Sequence, residues 1–154
     1  MKAFFFLLTF ISISSLALGQ GTAGGAKIDF CGHQYELPTG STLESPYEVK
    51  GEKFDIMLIY LNYNALSTAP AEYAKQRRKK LKGEPLQEIT CFIQDAPAKA
   101  YKFGYRTEAG MAYELLAYGV TKGQPVMIQL TTEIDPYQST DIPEFARQFV
   151  HLEK

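Results

Sequence analysis

The chain has no tryptophan, and among its 154 residues it has only two cysteines and two histidines. So few thiol and imidazole groups restrict the metal sites it can build, because a structural zinc site takes four ligands, mostly from these residues. A surplus of one charge is also missing, since 16 Lys and Arg accompany 17 Asp and Glu. Nucleic-acid-binding domains are usually strongly basic, so the composition argues against a nucleic-acid partner.

Long apolar runs are missing everywhere except at the start of the chain. Lys2 supplies a positive charge, an apolar stretch follows from Phe4, and Ala17-Leu18-Gly19 places small residues where signal peptidase reads them. A bilayer span takes roughly 20 apolar residues, so an uncleaved anchor is the less favoured alternative. We expect a Sec-type signal peptide at 1–19, cleavage near Gly19, and a secreted or periplasmic protein with no membrane span in the rest of the chain.

The remainder has the length of one domain. Residues 20–26 are small and Gly-rich, which predicts a flexible leader. Residues 27–154 are then predicted to form a single α+β domain, which is large enough to bury a core of its own.

Cys31 and Cys91 both follow the predicted cleavage site. An oxidising compartment and an even number of cysteines allow a disulfide between them. Each also lies in an apolar, strand-like stretch, so two separate buried thiols are the alternative. The sequence leaves both open, because pairing requires a Cα separation below roughly 7 Å.

Alternation of apolar and polar residues predicts most of the secondary structure as strands. Phe54–Asn62 is apolar on both faces, which is typical of a strand in the middle of a covered sheet. The other predicted strands are Lys27–Phe30, Gln34–Leu37, Leu86–Ile93, Lys99–Tyr105, Met111–Val120 and Gln124–Thr132, the last two forming a hairpin.

Two helices are predicted. The first runs from Ala71 to Lys82, with Thr68 as N-cap, Pro70 in its first turn and Gly83 as its end. The second follows Asp141, which we expect to act as N-cap, and carries an apolar stripe at the spacing of a helix, formed by Ile142, Phe145, Ala146 and Phe149. Grouped strands with only two helices predict an α+β domain built on an antiparallel sheet flanked by helices.

This pattern resembles the PsbP-like fold, which is shared by photosystem II extrinsic proteins, a Ran-binding nuclear import factor and small bacterial periplasmic proteins. The resemblance rests on the strand Phe54–Tyr60, the helix start Ala71–Ala74, the strands Ala112–Tyr118 and Val126–Leu130, and above all the closing helix Ile142–Val150. The Pro-x-Gly-Trp turn common in that family is replaced by Pro38-Thr39-Gly40. The resemblance implies an α/β/α sandwich and a non-catalytic binding or accessory role.

Reactive residues form no recognisable catalytic pattern. Asp29-x-Cys31-x-His33 offers three potential metal ligands, but a tetrahedral site needs a fourth, and the only other histidine is His151. Neither cysteine has an adjacent Lys or Arg that would lower its thiol pKa. We therefore predict no metal site, no cofactor and no catalytic residue, and keep as an alternative a secreted hydrolase or thiol enzyme that uses Cys31, His33 or His151.

The strongest local charge signal lies in the first predicted helix. Its basic residues could form a docking surface for an acidic partner, although such runs are more often solvated helix faces. These residues are Lys75, Arg77, Arg78, Lys79, Lys80 and Lys82. We expect an exported, non-enzymatic domain that binds another exported or envelope protein through this helix or a sheet face. A carrier of a small apolar ligand, held between sheet and helices, is a further alternative.

Overall fold

The computed structural model describes residues 25–152. The predicted signal peptide lies outside this range, as do residues 20–24 of the predicted leader and residues 153–154. Within the described part, 50% of residues lie in strands and 19% in helices.

The described chain begins with a separate antiparallel hairpin of β1 (Lys27–Phe30) and β2 (His33–Glu36). Eight further strands follow: β3 (Thr42–Ser45), β4 (Glu48–Lys50), β5 (Phe54–Tyr60), β6 (Gln87–Ile93), β7 (Ala96–Thr107), β8 (Gly110–Thr121), β9 (Gln124–Thr132) and β10 (Val150–His151). These eight strands form one curled antiparallel sheet in the order β10-β6-β7-β8-β9-β5-β4-β3.

The hairpin between β8 and β9 has a two-residue turn. Thr121 pairs with Gln124, and Lys122 and Gly123 between them have φ values of 49° and 74°. Two successive positive φ values are what a tight turn needs if its twist is to match the strands on either side. The predicted boundaries of β9 and β1 are confirmed to the residue, and β5 is confirmed as an interior strand between β4 and β9.

The helices are few and mostly short. They are α1 (Tyr63–Leu66), α2 (Ala69–Leu81), a 3-10 helix (Ser139–Asp141) and α3 (Glu144–Arg147). The predicted first helix is confirmed as α2, with Thr68 as N-cap and Pro70 in the first turn. It ends at Leu81, and the C-cap residue Lys82 adopts a left-handed conformation with φ 52°, one residue before the predicted stop, Gly83.

The two faces of the sheet are covered by different kinds of structure. Helix α2 lies on one face, where Ala74 packs with Phe103 and Leu116. The other face carries the larger core, formed with the β1–β2 hairpin and the C-terminal segment. Its covering residues include Ile28, Phe30, Ile142, Phe145, Ala146, Phe149 and Val150.

The predicted α/β/α sandwich is wrong. Only α2 forms a helical layer, because the opposite face is covered by a β-hairpin and by a segment in which α3 has only four residues. In that segment aromatic rings supply the packing: Phe149 lies 5.6 Å from Phe30 and 5.2 Å from Phe145, measured between ring centroids. Large rings bury enough apolar area to cover a sheet without a long helix.

The C-terminal helix is shorter than predicted. Ile142, Phe145, Ala146 and Phe149 are buried, so the predicted apolar stripe is confirmed. The capping role of Asp141 is wrong, since Oδ2 of its side chain accepts hydrogen bonds from the backbone N–H groups of Tyr137 and Gln138. Asp141 thus closes the preceding 3-10 turn, and Pro143 stands at the N-cap of α3.

Candidate functional site

Helix α2 is fixed to the sheet by one buried ion pair. The Arg77 guanidinium donates two hydrogen bonds to the Glu114 carboxylate on β8, from Nε to Oε1 at 2.9 Å and from an Nη to Oε2 at 2.7 Å. The Glu114 side chain is fully buried, whereas that of Arg77 is 23% exposed. The hydrogen bonds with Glu114 raise the pKa of Arg77 above its already high ordinary value.

A second bond between side chains reinforces this attachment. The Tyr73 hydroxyl, one turn before Arg77, donates to Oε1 of Gln129 on β9 at 2.6 Å. Partial burial raises the pKa of Tyr73, so its hydroxyl keeps the proton that it donates. The helix therefore contacts both central strands through polar bonds as well as through buried Ala74.

Two other members of the basic run have partners on or near the helix. The Arg78 side chain donates from Nε to the backbone oxygen of Glu84 at 2.9 Å. Lys75 forms an exposed ion pair with Glu72 at 3.1 Å, one turn earlier.

The last three predicted binding residues, Lys79, Lys80 and Lys82, are exposed. Within residues 25–152, no ion pair involves any of them. Their position at the carboxyl end of α2 is electrostatically favourable, because the negative end of the helix dipole stabilises positive charge. We call these three residues the lysine surface.

The basic run thus divides into residues that hold α2 and residues that face water. Arg77 is bound to a buried carboxylate and contributes no free charge to a partner. The lysine surface keeps its charge available, because none of the ion pairs among the described residues involves it. Sequence reasoning overlooked Glu114, although an isolated acidic residue inside the apolar strand Ala112–Ala117 was a signal for a buried counter-charge.

A polar cleft lies at one end of the sheet, where four separate segments meet. The cleft has a volume of about 320 Å³. It is lined by His33 and Tyr35 of β2, Gln94 and Asp95 of the β6–β7 turn, Lys122 of the β8–β9 turn, and Arg147, Gln148 and His151 of the C-terminal segment.

Gln94 connects these four segments. Its backbone N–H donates to the Phe149 oxygen at 2.8 Å, and its own oxygen lies 2.5 Å from Nε2 of His151. Its side-chain amide donates to the Tyr35 hydroxyl at 2.8 Å and accepts from the Thr121 hydroxyl at 3.0 Å. One residue therefore fixes the hairpin, the end of β8 and the C-terminal segment relative to one another.

The cleft brings together the two histidines that the sequence placed far apart, and Cys31 is not among the residues that line it. Asp29 and His33, two of the three potential ligands in the Asp29-x-Cys31-x-His33 pattern, lie on different strands. Cys31 occupies the turn of the hairpin with φ 48°, so Phe30 pairs with His33 across it. No group of three or more potential metal ligands occurs in the part of the chain that the structure describes.

Both cysteines are free thiols in the structure, Cys91 buried and Cys31 half-buried. Burial of Cys91 in β6 raises its thiol pKa to about 12. Burial also raises the pKa of Cys31, and this effect outweighs a hydrogen bond to Tyr60 and the charge of Lys122. A raised pKa disfavours the nucleophilic thiolate, so the geometry argues against a thiol enzyme.

Between the sheet and its cover, Phe30, Phe149 and Ile128 are fully buried, and the ring of Tyr35 packs 4.6 Å from that of Phe149. A separate, largely apolar pocket of about 260 Å³ is lined by Ile134, Ile142 and Pro143 beside the C-terminal segment. The carrier of an apolar ligand therefore stays an open alternative.

Within residues 25–152, no helix has both the length and the apolar character that a bilayer crossing requires. No model of a known protein family matches the chain, and no curated protein matches it either.

Proposed function

We propose that this chain is an exported, non-enzymatic binding domain that engages an acidic surface of another exported or envelope protein through the lysine surface of α2. The observation that carries the proposal is the division of the basic run. Arg77 is bound inward by Glu114, while Lys79, Lys80 and Lys82 are exposed with no ion pair among the described residues.

Rigidity of the helix supports this role. Two bonds from Arg77 and one from Tyr73 hold α2 on β8 and β9, so the lysines project from a fixed support. A binding surface that is already ordered loses less conformational entropy when the complex forms.

Charge complementarity selects the class of partner. Three adjacent cations that no carboxylate neutralises attract an acidic protein surface and accelerate the encounter. The Debye length is about 8 Å at physiological ionic strength, so binding of this kind weakens as salt is added.

The experiment compares three immobilised proteins exposed to the exported fraction of the source cells. The first is the wild type, and the second carries Lys79→Glu, Lys80→Glu and Lys82→Glu. The third is a control with Lys50→Glu, Lys53→Glu and Arg106→Glu, which are also exposed and change the net charge equally. Arg77 is unchanged in all three proteins, because its replacement would weaken the attachment of α2 to the sheet.

We expect one acidic protein to be retained by the wild type and the control and lost from the lysine variant. With that protein purified, its affinity for the lysine variant should fall at least tenfold. Raising salt from about 0.15 M to about 1 M should release it from the wild type. Equal retention by all three proteins contradicts the proposal, and so does lysine-dependent binding to vesicles of anionic lipid with no protein partner.

A further inference from the structure

We propose that the cleft lined by His33, Lys122, Arg147 and His151 is a binding site for a small organic anion that carries a carboxylate or phosphate group. The cleft lies outside the lysine surface, which we assign to the partner protein. No motif in the sequence indicates this cleft.

The charges around the cleft favour an anion. Lys122 and Arg147 are exposed, and neither belongs to an ion pair within residues 25–152. The planar guanidinium of Arg147 presents donors in the geometry that matches two oxygens of a carboxylate or phosphate. The imidazole of His33 also lines the cleft, whereas Nε2 of His151 contacts the backbone oxygen of Gln94, and Asp95 is the one acidic residue in the lining.

The floor of the cleft is ordered before any ligand arrives. Gln94 is bonded to Tyr35, Thr121 and Phe149, and its backbone oxygen contacts His151. These bonds join segments that are distant in the sequence, so the backbone around the cleft keeps its shape. A fixed backbone reduces the entropy that is lost when a small molecule binds.

Two tight hairpin turns border the cleft. Gln94 has φ 54° and Lys122 has φ 49°, as two-residue turns between antiparallel strands require. Here both turns place polar side chains in the lining of one cleft.

The size of the cleft suits a small molecule. A volume of about 320 Å³ lies at the lower end of the range of roughly 300–1,000 Å³ that is typical of small-ligand pockets. Inorganic phosphate and a small polycarboxylate such as citrate both represent anions of this size.

The cleft and the lysine surface are far apart. The chain after α2 is bonded to β7 at Gly104, whereas the cleft lies beside Ala96 at the start of the same strand. Eight residues of strand correspond to roughly 26 Å at about 3.3 Å per residue. The two proposals therefore stand or fail separately.

The test titrates the isotope-labelled protein with inorganic phosphate, and separately with citrate, at constant ionic strength. Two-dimensional NMR follows each backbone amide. We expect saturable shifts at Asp95, Lys122 and Gly123 for at least one probe, with a Kd on the order of 1 mM or below. The variant with Lys79→Glu, Lys80→Glu and Lys82→Glu should bind the same probe equally well.

Three single variants make the test specific to the cleft. Arg147→Gln and Lys122→Asn should each weaken binding roughly tenfold, which is the contribution of one hydrogen bond to a charged group. Asp95→Asn should tighten it about threefold, because it removes the one acidic charge in the lining. Arg106→Gln, an exposed arginine outside the cleft, should change nothing.

The proposal is overturned if neither probe gives saturable shifts, or if the shifts lie on α2. An equal loss of affinity in Arg106→Gln and Arg147→Gln also overturns it, because the effect would then be non-specific. Tighter binding by Asp95→Asn is the most informative supporting result, since damage to the fold would not produce it.

Discussion

Arg77 and Glu114 lie 37 residues apart in the chain and form two hydrogen bonds that fix α2 to β8. The Glu114 side chain is inaccessible to water, whereas the Arg77 side chain is 23% exposed. This difference makes the pair asymmetric. Glu114 depends on Arg77 for compensation of its charge, but Arg77 can turn toward solvent.

The first prediction follows from this asymmetry. Arg77→Met leaves a buried carboxylate without its cation and should lower the free energy of unfolding by about 3–5 kcal/mol. Replacing both residues, as Arg77→Met with Glu114→Leu, should recover most of the loss, because two apolar side chains of similar size need no counter-charge. Urea unfolding followed by circular dichroism measures both values. A double variant as unstable as the single one would contradict the argument.

The second prediction concerns the ion pair on the opposite face. Nζ of Lys102 on β7 donates to Asp135 at 2.6 Å and to the Pro136 oxygen at 3.3 Å, and lies 3.9 Å from the centre of the Tyr137 ring. The Lys102 side chain is 5% exposed and that of Asp135 is 24% exposed. The cation is therefore the buried partner, and the loop after β9 covers it.

Removing the carboxylate should consequently cost more than removing the cation. We expect Asp135→Ala to destabilise the protein by about 3 kcal/mol, since Lys102 stays buried without its partner. Lys102→Met should cost about 1 kcal/mol, because the apolar stem is kept and Asp135 can be hydrated. Denaturant unfolding of both variants measures the two losses of stability. A larger loss in Lys102→Met than in Asp135→Ala would show that the loop does not depend on this ion pair.

The sequence predicted the bounds of β9 because its apolar residues alternate with others. Val126, Ile128 and Leu130 contribute to the core on the hairpin side, as the alternation indicated. The prediction of a single buried face was wrong, since Met127 and Gln129 are buried on the face toward α2. Strand β3 was missed because Thr42, Leu43 and Glu44 are all exposed, so no alternation marks it. An edge strand held only by backbone pairing leaves little trace in its side chains.

The layer arrangement was harder to predict, because the sequence shows that a segment is apolar on one side but not what it packs against. The stripe through Phe145 and Phe149 correctly indicated docking on the sheet, yet the helix around it is only four residues long.

The candidate sites were harder still to predict from the sequence. The cleft is formed by residues as distant as His33 and His151, and helical spacing alone does not distinguish Arg77 from Arg78 as the one that faces the sheet.

The third prediction uses the buried thiol of Cys91. Its pKa rises from 9.0 to about 12 on folding because burial disfavours the thiolate. Above pH 9 the unfolded chain loses this proton while the folded protein keeps it, so stability falls as pH rises toward 12. Wild type should lose roughly 2–3 kcal/mol more than Cys91→Ala between about pH 8 and about pH 11. Parallel pH profiles for the two proteins would place the thiol in a solvated site.

The fourth prediction distinguishes the two cysteines by access. Cys31 is half-buried in the hairpin turn, with its backbone N–H 3.1 Å from the Tyr60 hydroxyl, whereas Cys91 is 2% exposed. We expect the native protein to react with a small alkylating agent at one thiol per chain, and Cys31→Ser to abolish that reaction. Denaturant should then expose Cys91, giving two labels in the wild type. Mass spectrometry counts them, and an unfolded, unreduced wild type that takes no label would show that the two thiols are joined as a disulfide. We also expect Cys31 to be labelled more slowly than the thiol of a small peptide, because its raised pKa keeps the thiolate population low.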